Sequence, residues 1–299
     1  MRGVWTALVT PFNSKGAIDF PAFEKILADQ KSAGVSGVIP CGTTGESPTL
    51  SLTEKQELIR TTLDFFKGSS TLVIAGTGSN STSEAIELSR WASDVGVAGV
   101  LLVTPYYNKP TQAGLEAHFR AVADAVKCEV MLYNVPGRTG VSLTAQTVAS
   151  LASHPKIRSI KEATGSTQLS SEIIDALAHS KRSIDILSGD DASFVPLLSI
   201  GATGVVSVTS NLFPRGMVAI QRAFEKGDLA EVKKLQARYF PLMRDLFIES
   251  NPGPIKFAMS KMGFCENRLR LPLVPVASST ESKVEESMAR AGLRKGEPA

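Results

Sequence analysis

Apolar runs of strand length recur at 4–10, 37–41, 71–76, 99–104, 129–133, 157–162, 184–188 and 204–208. Amphipathic stretches of helical length fill the gaps, at 20–33, 53–66, 82–94, 114–126, 145–153, 168–178 and 192–200, with a further one at 217–225. Strands separated by helices belong to a parallel sheet covered on its faces. Eight such units predict an α/β fold, the (β/α)8 TIM barrel, over an open doubly wound sheet. The open sheet lacks its dinucleotide fingerprint. Gly76-Thr-Gly78 follows a strand, yet no third glycine completes Gly-x-Gly-x-x-Gly, so it reads as a tight strand-to-helix turn. Ser51-Leu-Thr-Glu54 and Ser81-Thr-Ser-Glu84 both match the capping box and mark helix starts.

After 208 the alternation stops. Helical patterns at 229–247, 254–262 and 282–291, joined by linkers bearing Pro252, Pro254, Pro272 and Pro275, predict a C-terminal helical appendage. The expected division is a catalytic barrel over 1–225 and a helical domain over 226–299, frayed at 294–299. The net charge is only +3, and no basic run carries interleaved aromatics, so nucleic-acid binding has no support. The charged stretch 225–234 reads as a solvated helix face. Cys41, Cys128 and Cys265 are odd in number and form neither Cys-x-x-Cys nor a Cys/His cluster, which points to free thiols and no metal. The N-terminus lacks the long apolar core of a signal peptide, and no apolar stretch reaches membrane-spanning length. A cytoplasmic protein without a membrane partner is expected.

A barrel concentrates chemistry at the C-terminal ends of its strands. The second strand ends in Cys41-Gly-Thr-Thr-Gly-Glu46, the fourth in Thr104-Pro-Tyr-Tyr107 and the fifth in Tyr133-Asn-Val-Pro-Gly-Arg138. The sixth carries Lys161, the seventh ends in Ser188-Gly-Asp-Asp191, and the eighth contains Val205-Val206-Ser207. Lys161 is the odd residue, a charge within an otherwise apolar strand. Burial there favours the neutral amine, a nucleophile towards carbonyl carbon. The alternative is a lysine that snorkels to the strand end and pairs with Glu162. Each companion also has a plain structural use. Gly42-Thr-Thr-Gly45 is a glycine turn or a nest for a carboxylate. Tyr106 and Tyr107 suit an interface, Tyr133 a core, Arg138 a surface loop, and Asp190 with Asp191 a helix N-cap. His118, His154 and His179 lie within or after helices and read as surface residues. That leaves tyrosine as the acid–base group near Lys161. Together the set suits one chemistry: an amine condenses with a keto group, and a tyrosine hydroxyl moves protons through carbinolamine, imine and enamine.

The motifs Gly42-Thr-Thr-Gly-Glu46, Thr104-Pro-Tyr-Tyr-Asn108, Tyr133-Asn-Val-Pro-Gly-Arg-Thr-Gly140, Lys161-Glu-Ala-Thr-Gly165 and Leu187-Ser-Gly-Asp-Asp191 carry a resemblance over nearly the whole chain. The chain resembles the dihydrodipicolinate synthase / N-acetylneuraminate lyase superfamily of pyruvate-dependent class I aldolases. The resemblance implies that Lys161 forms an imine with pyruvate and that Tyr133 is the proton donor and acceptor. Thr43 and Tyr107 would complete a hydroxyl relay, Tyr107 reaching in from a neighbouring subunit. Thr44 and Val206 would contact pyruvate, largely through backbone groups. Arg138 would hold the carboxylate of a second substrate. It implies no cofactor and no metal, and a homotetramer built as a dimer of dimers.

Within the superfamily, the double threonine after Gly42 and the arginine at 138 favour the members that join pyruvate to L-aspartate 4-semialdehyde in the diaminopimelate route to lysine. N-acetylneuraminate lyases and 2-keto-3-deoxy sugar acid aldolases are the alternative. Lysine-inhibited members bind the end product at positions matching Pro48, Leu52, Lys55, Asn80, Glu84 and Tyr106. Leu52 and Lys55 stand where strongly inhibited members carry histidines, so feedback by L-lysine is expected to be weak or absent.

Overall fold

Eight strands form where the apolar runs fall: β1 Gly3–Ala7, β2 Gly37–Ile39, β3 Leu72–Gly76, β4 Gly99–Val103, β5 Glu129–Asn134, β6 Ile157–Glu162, β7 Asp185–Ser188 and β8 Gly204–Ser207. In this computed structural model, which describes residues 1–293, they close in sequence order into a barrel. The recorded ladders are parallel. The fold is the TIM barrel that the alternation implies. The helices are α1 Phe20–Ala33, α2 Leu52–Phe66, α3 Thr82–Asp94, α4 Gln112–Ala125, α5 Pro136–Thr139 and α6 Ala145–Leu151. They continue with α7 Thr167–His179, α8 Phe194–Ser199, α9 Pro214–Glu225, α10 Leu229–Asp245, α11 Gly253–Lys261 and α12 Ser278–Ala291. The end expected to fray, 294–299, lies outside the described residues.

Two compact units make up the chain. The first joins Met1–Arg2 to Leu72–Val206. Its strands are apolar on both faces, with Val100, Leu102, Val130, Leu132 and Ile160 buried on one and Leu101 and Met131 buried on the other, as a covered parallel sheet requires. Side-chain caps start its helices. Ser81, Thr111, Thr144 and Ser166 each accept a hydrogen bond from a first-turn amide of α3, α4, α6 and α7.

The second unit joins Gly3–Thr71 to the chain from Ser207 onward. Trp5 on β1 pairs in register with Gly37 on β2. A Cβ at 37 would lie 2.1 Å from the Trp5 ring, so only glycine admits that buried indole. In the C-terminal helices, Arg238 on α10 donates to the Ala291 carbonyl at the end of α12. Asp245 receives the Arg244 guanidinium and the Ser287 hydroxyl.

Several expectations shift. Only Ser51 makes a complete capping box, because Glu84 takes the Ser79 hydroxyl instead of the Ser81 amide. The stretch 225–234 is mostly exposed, but it crosses the break between α9 and α10. His118 is not a surface residue: it is buried, its Nδ1 at 2.9 Å from the Thr82 hydroxyl. The spacing holds the reason, since 118 shares the inward stripe of α4 with Leu115, Phe119 and Val122.

Candidate active site

Parallel pairing of β5 with β6 sets Tyr133 opposite Lys161 and Asn134 opposite Glu162. Side chains alternate along a strand, so Lys161 and Glu162 point to opposite faces of the sheet. Lys161 is 4% exposed and its Nζ lies 4.3 Å from the centroid of the buried Tyr133 ring. Glu162 is engaged elsewhere. Its carboxylate accepts from Asn134 Nδ2 at 3.2 Å, Thr164 N at 3.0 Å and Thr164 Oγ1 at 2.7 Å. Burial pushes the Glu162 carboxyl up, and the Thr164 and Asn134 donors oppose that shift. Asn134 also anchors the next loop, its Oδ1 accepting from Leu143 N at 3.0 Å. Gly189, just past β7, completes the packing around the lysine. A Cβ there would sit 2.5 Å from Ala163 Cβ and 3.0 Å from Lys161 Cγ.

The other predicted residues of this unit are spread around that pair. Arg138 is exposed on α5, one turn beyond Tyr133. Beneath it, the Thr104 hydroxyl donates to Thr139 Oγ1 at 3.1 Å. Tyr107 is 90% exposed and sits at φ +71°, a left-handed conformation uncommon for a bulky residue. Its loop is braced by Asn80, whose Nδ2 donates to the Tyr106 carbonyl and whose carbonyl accepts from Asn108. Val206 is fully buried in β8. Asp190 accepts from Ser193 N at 2.8 Å in the turn before α8, but it does not cap the helix as expected: α8 begins at Phe194, with Ser193 at its N-cap and no side-chain cap bond.

In the second unit, β2 runs into a turn closed by Gly45 N to Gly42 O at 3.1 Å, Glu46 N to Thr43 O at 3.1 Å and Ser47 N to Gly42 O at 3.3 Å. Cys41 and Glu46 flank it in the left-handed region, at φ +60° and +55°. The Thr10 hydroxyl donates to Gly45 O at 2.7 Å, and Asn251 Nδ2 donates to Thr44 Oγ1 at 3.0 Å. Thr43 is half-buried. Burial pushes the Cys41 thiol up to about 12, which keeps it from acting as a nucleophile. Glu46 is fully buried against the ammonium of Lys256 on α11. Sequence reasoning missed Lys256, although it stands in the apolar run Pro254-Ile-Lys-Phe-Ala-Met259 much as Lys161 stands in β6.

Among the described residues no group of three His, Cys, Asp or Glu side chains could hold a metal ion. No helix among them is long and apolar enough to cross a membrane.

A family model described as the dihydrodipicolinate synthetase family matches residues 1–291. The chain belongs to the dihydrodipicolinate synthetase family. A relative from Leptospira biflexa serovar Patoc, a 4-hydroxy-tetrahydrodipicolinate synthase, is 51% identical over 94% of this chain and 94% of its own length. The 4-hydroxy-tetrahydrodipicolinate synthase structure from Methylacidiphilum fumariolicum SolV superposes with a TM-score of 0.94 at 44% identity, covering 98% of this chain and 96% of that one. A dihydrodipicolinate synthase from Acinetobacter baumannii, solved in complex with pyruvate, gives a TM-score of 0.93 at 40% identity, covering 98% and 99%. These synthetase-family likenesses run through barrel and C-terminal helices alike.

Proposed function

We propose that this chain is a Schiff-base-forming lyase that condenses pyruvate with L-aspartate 4-semialdehyde to 4-hydroxy-tetrahydrodipicolinate, in the diaminopimelate route to lysine. The observation that carries the proposal is the buried Lys161 amine held against the Tyr133 ring at the ends of adjacent strands. Near-full-length identity to synthases supports the same reaction.

Lys161 attacks the keto carbon of pyruvate, and loss of water gives the imine. Tyr133 carries protons to the departing hydroxyl and from the methyl group, leaving an enamine. The enamine carbon attacks the semialdehyde carbonyl. The semialdehyde's own amino group then displaces Lys161, so one water leaves overall and the amine is regenerated. Thr43 and Tyr107 extend the hydroxyl relay. Thr44 and Val206 hold pyruvate through backbone groups, the turn at 42–45 serving as a carboxylate nest. Arg138 grips the semialdehyde carboxylate with its planar fork. No step needs a metal or a cofactor.

Tyr107, exposed on the isolated chain, is assigned to a neighbouring subunit's relay, which makes a dimer the working unit and a dimer of dimers the assembly. The barrel over 1–225 carries the chemistry, and α10, α11 and α12 after it form the C-terminal helical domain. Free cysteines suit a cytoplasmic location.

Borohydride reduction with pyruvate should add the mass of a reduced pyruvyl group to Lys161. A coupled assay should then show turnover with aspartate 4-semialdehyde and none with N-acetylneuraminate or 2-keto-3-deoxygluconate. An unmodified polypeptide would remove the Schiff base, and turnover of a sugar acid alone would move the chain to another aldolase.

A further inference from the structure

Taking the turn at 42–45 as the pyruvate carboxylate nest proposed above, we infer that Glu46, Lys256 and Arg270 are positioning residues that set its geometry and hence pyruvate affinity. The second unit contains the whole network. Glu46 and Lys256 are each 0% exposed, and the Lys256 ammonium donates to Glu46 Oε1 and, at 2.7 Å, to the Arg268 carbonyl. Glu46 Oε2 accepts from the backbone N of Arg270 at 2.9 Å. One carboxylate thereby ties the end of the turn to α11 and to the segment after it.

Phe12 underlies both cations, its ring centroid 4.2 Å from Lys256 Nζ and 4.4 Å from the Arg270 guanidinium. Arg270 reaches outward from there. It donates to Glu54 Oε2 at 2.8 Å, to the Thr49 carbonyl at 2.9 Å and to the Gly16 carbonyl at 3.0 Å. The Arg270 partners Thr49 and Glu54 flank the start of α2, so the chain that follows Glu46 is pinned as well.

Stability alone does not account for such a pair. Two charges taken from water are tolerated only with each other and full hydrogen bonding, and apolar residues of equal volume commonly do as well. Burial pushes the Lys256 ammonium down, and Glu46 opposes it. What the pair supplies is direction. Glu46 is held in the left-handed region, where a residue with a side chain is strained unless its surroundings fix it. Its amide closes the turn on Thr43 O, so rotation at Glu46 would re-aim the amides of Thr43 and Thr44. A nest that grips a carboxylate through backbone donors depends on that aim.

The test is steady-state kinetics with thermal unfolding on the full chain, for Lys256→Met, Glu46→Gln, and the milder Lys256→Arg and Phe12→Leu. Folded Lys256→Met and Glu46→Gln should raise KM for pyruvate by about tenfold to a hundredfold, the scale of a small misplacement at a reacting site. KM for the semialdehyde should hold, and kcat at saturating pyruvate should change far less. Lys256→Arg, which keeps the charge, should restore part of the affinity. A lowered melting temperature with unchanged KM for pyruvate would make the network structural only and overturn the inference. If the first two variants do not fold, Lys256→Arg and Phe12→Leu decide: a graded rise in KM supports the role, and no rise removes it. Borohydride trapping of the wild type separates this from the reaction itself. A wild type that does not trap pyruvate sinks the proposed function; one that traps, beside variants trapping at the same pyruvate concentrations, sinks only the positioning role.

Discussion

Glu162 accepts a hydrogen bond at 3.2 Å from Asn134, its partner across β5 and β6, one step beyond the pair formed by Tyr133 and Lys161. Strand pairing admits only whole-residue steps, so a contact that fixes one pair fixes its neighbour. The Glu162–Asn134 bond on one face of the sheet therefore holds the amine against the phenol on the other.

Asn134→Ala should weaken that lock. It strands one side of a buried carboxylate, and an unsatisfied buried group costs about 1–3 kcal/mol. Chemical denaturation should show a loss of that size, with slower pyruvate trapping at Lys161. Full stability with normal trapping would mean that the ladder alone sets the register.

Arg138→Ala should leave trapping by pyruvate near the wild-type level while raising KM for the semialdehyde. Removing a charge-assisted contact to a substrate carboxylate costs about 1.5–3 kcal/mol, or roughly tenfold to a hundredfold in KM. Equal losses in both measurements would make the arginine structural.

Tyr107→Phe should lower turnover without preventing pyruvate binding, and mixing it with a Lys161→Ala chain should recover activity if subunits exchange. Recovery follows if each active centre takes its lysine from one chain and its tyrosine from another. Wild-type turnover in Tyr107→Phe would take the hydroxyl out of the relay, and a fully active monomer would take the neighbour out of it.

Stability should rise with pH between about 4 and 6.5. Burial holds the His118 imidazole down to about 4, below its unfolded value of about 6.5. Within that window the unfolded chain binds the extra proton, so the contribution is whole above 6.5 and lost as pH falls towards 4. Its size is up to about 3 kcal/mol. Urea unfolding of His118→Gln should show a shallower slope there than the wild type, and identical slopes would discount the residue.

Millimolar L-lysine should inhibit weakly or not at all. Lys55 carries an ammonium, and Leu52 an exposed apolar side chain, where the family resemblance matches the lysine-binding positions of inhibited members. Half-inhibition below a millimolar would refute this, and Lys55→His should strengthen whatever inhibition exists.

Local patterning carried most of the architecture. β6 lies at 157–162 as read, and α1 and α3 keep both expected ends, because periodicity and capping are written in adjacent residues. Lys161 and Tyr133 were legible for a similar reason: a charge in an apolar strand has few uses. Lys256 obeyed the same logic, yet its partner Glu46 is 210 positions away and only folding joins them. The helix at 136–139 was hidden by Pro136-Gly137, which reads as a turn, although proline suits a first helical position. His118 is buried because its spacing puts it on the inward stripe of α4, and its polar ring does not override that.

Gly189 bears on how this catalyst could be re-engineered. With a methyl group already too large beside the Lys161 stem, the loop after β7 is closed to diversification at that point. New substrate ranges would have to be selected from the exposed turn around Arg138, where side chains can grow without dislodging the amine.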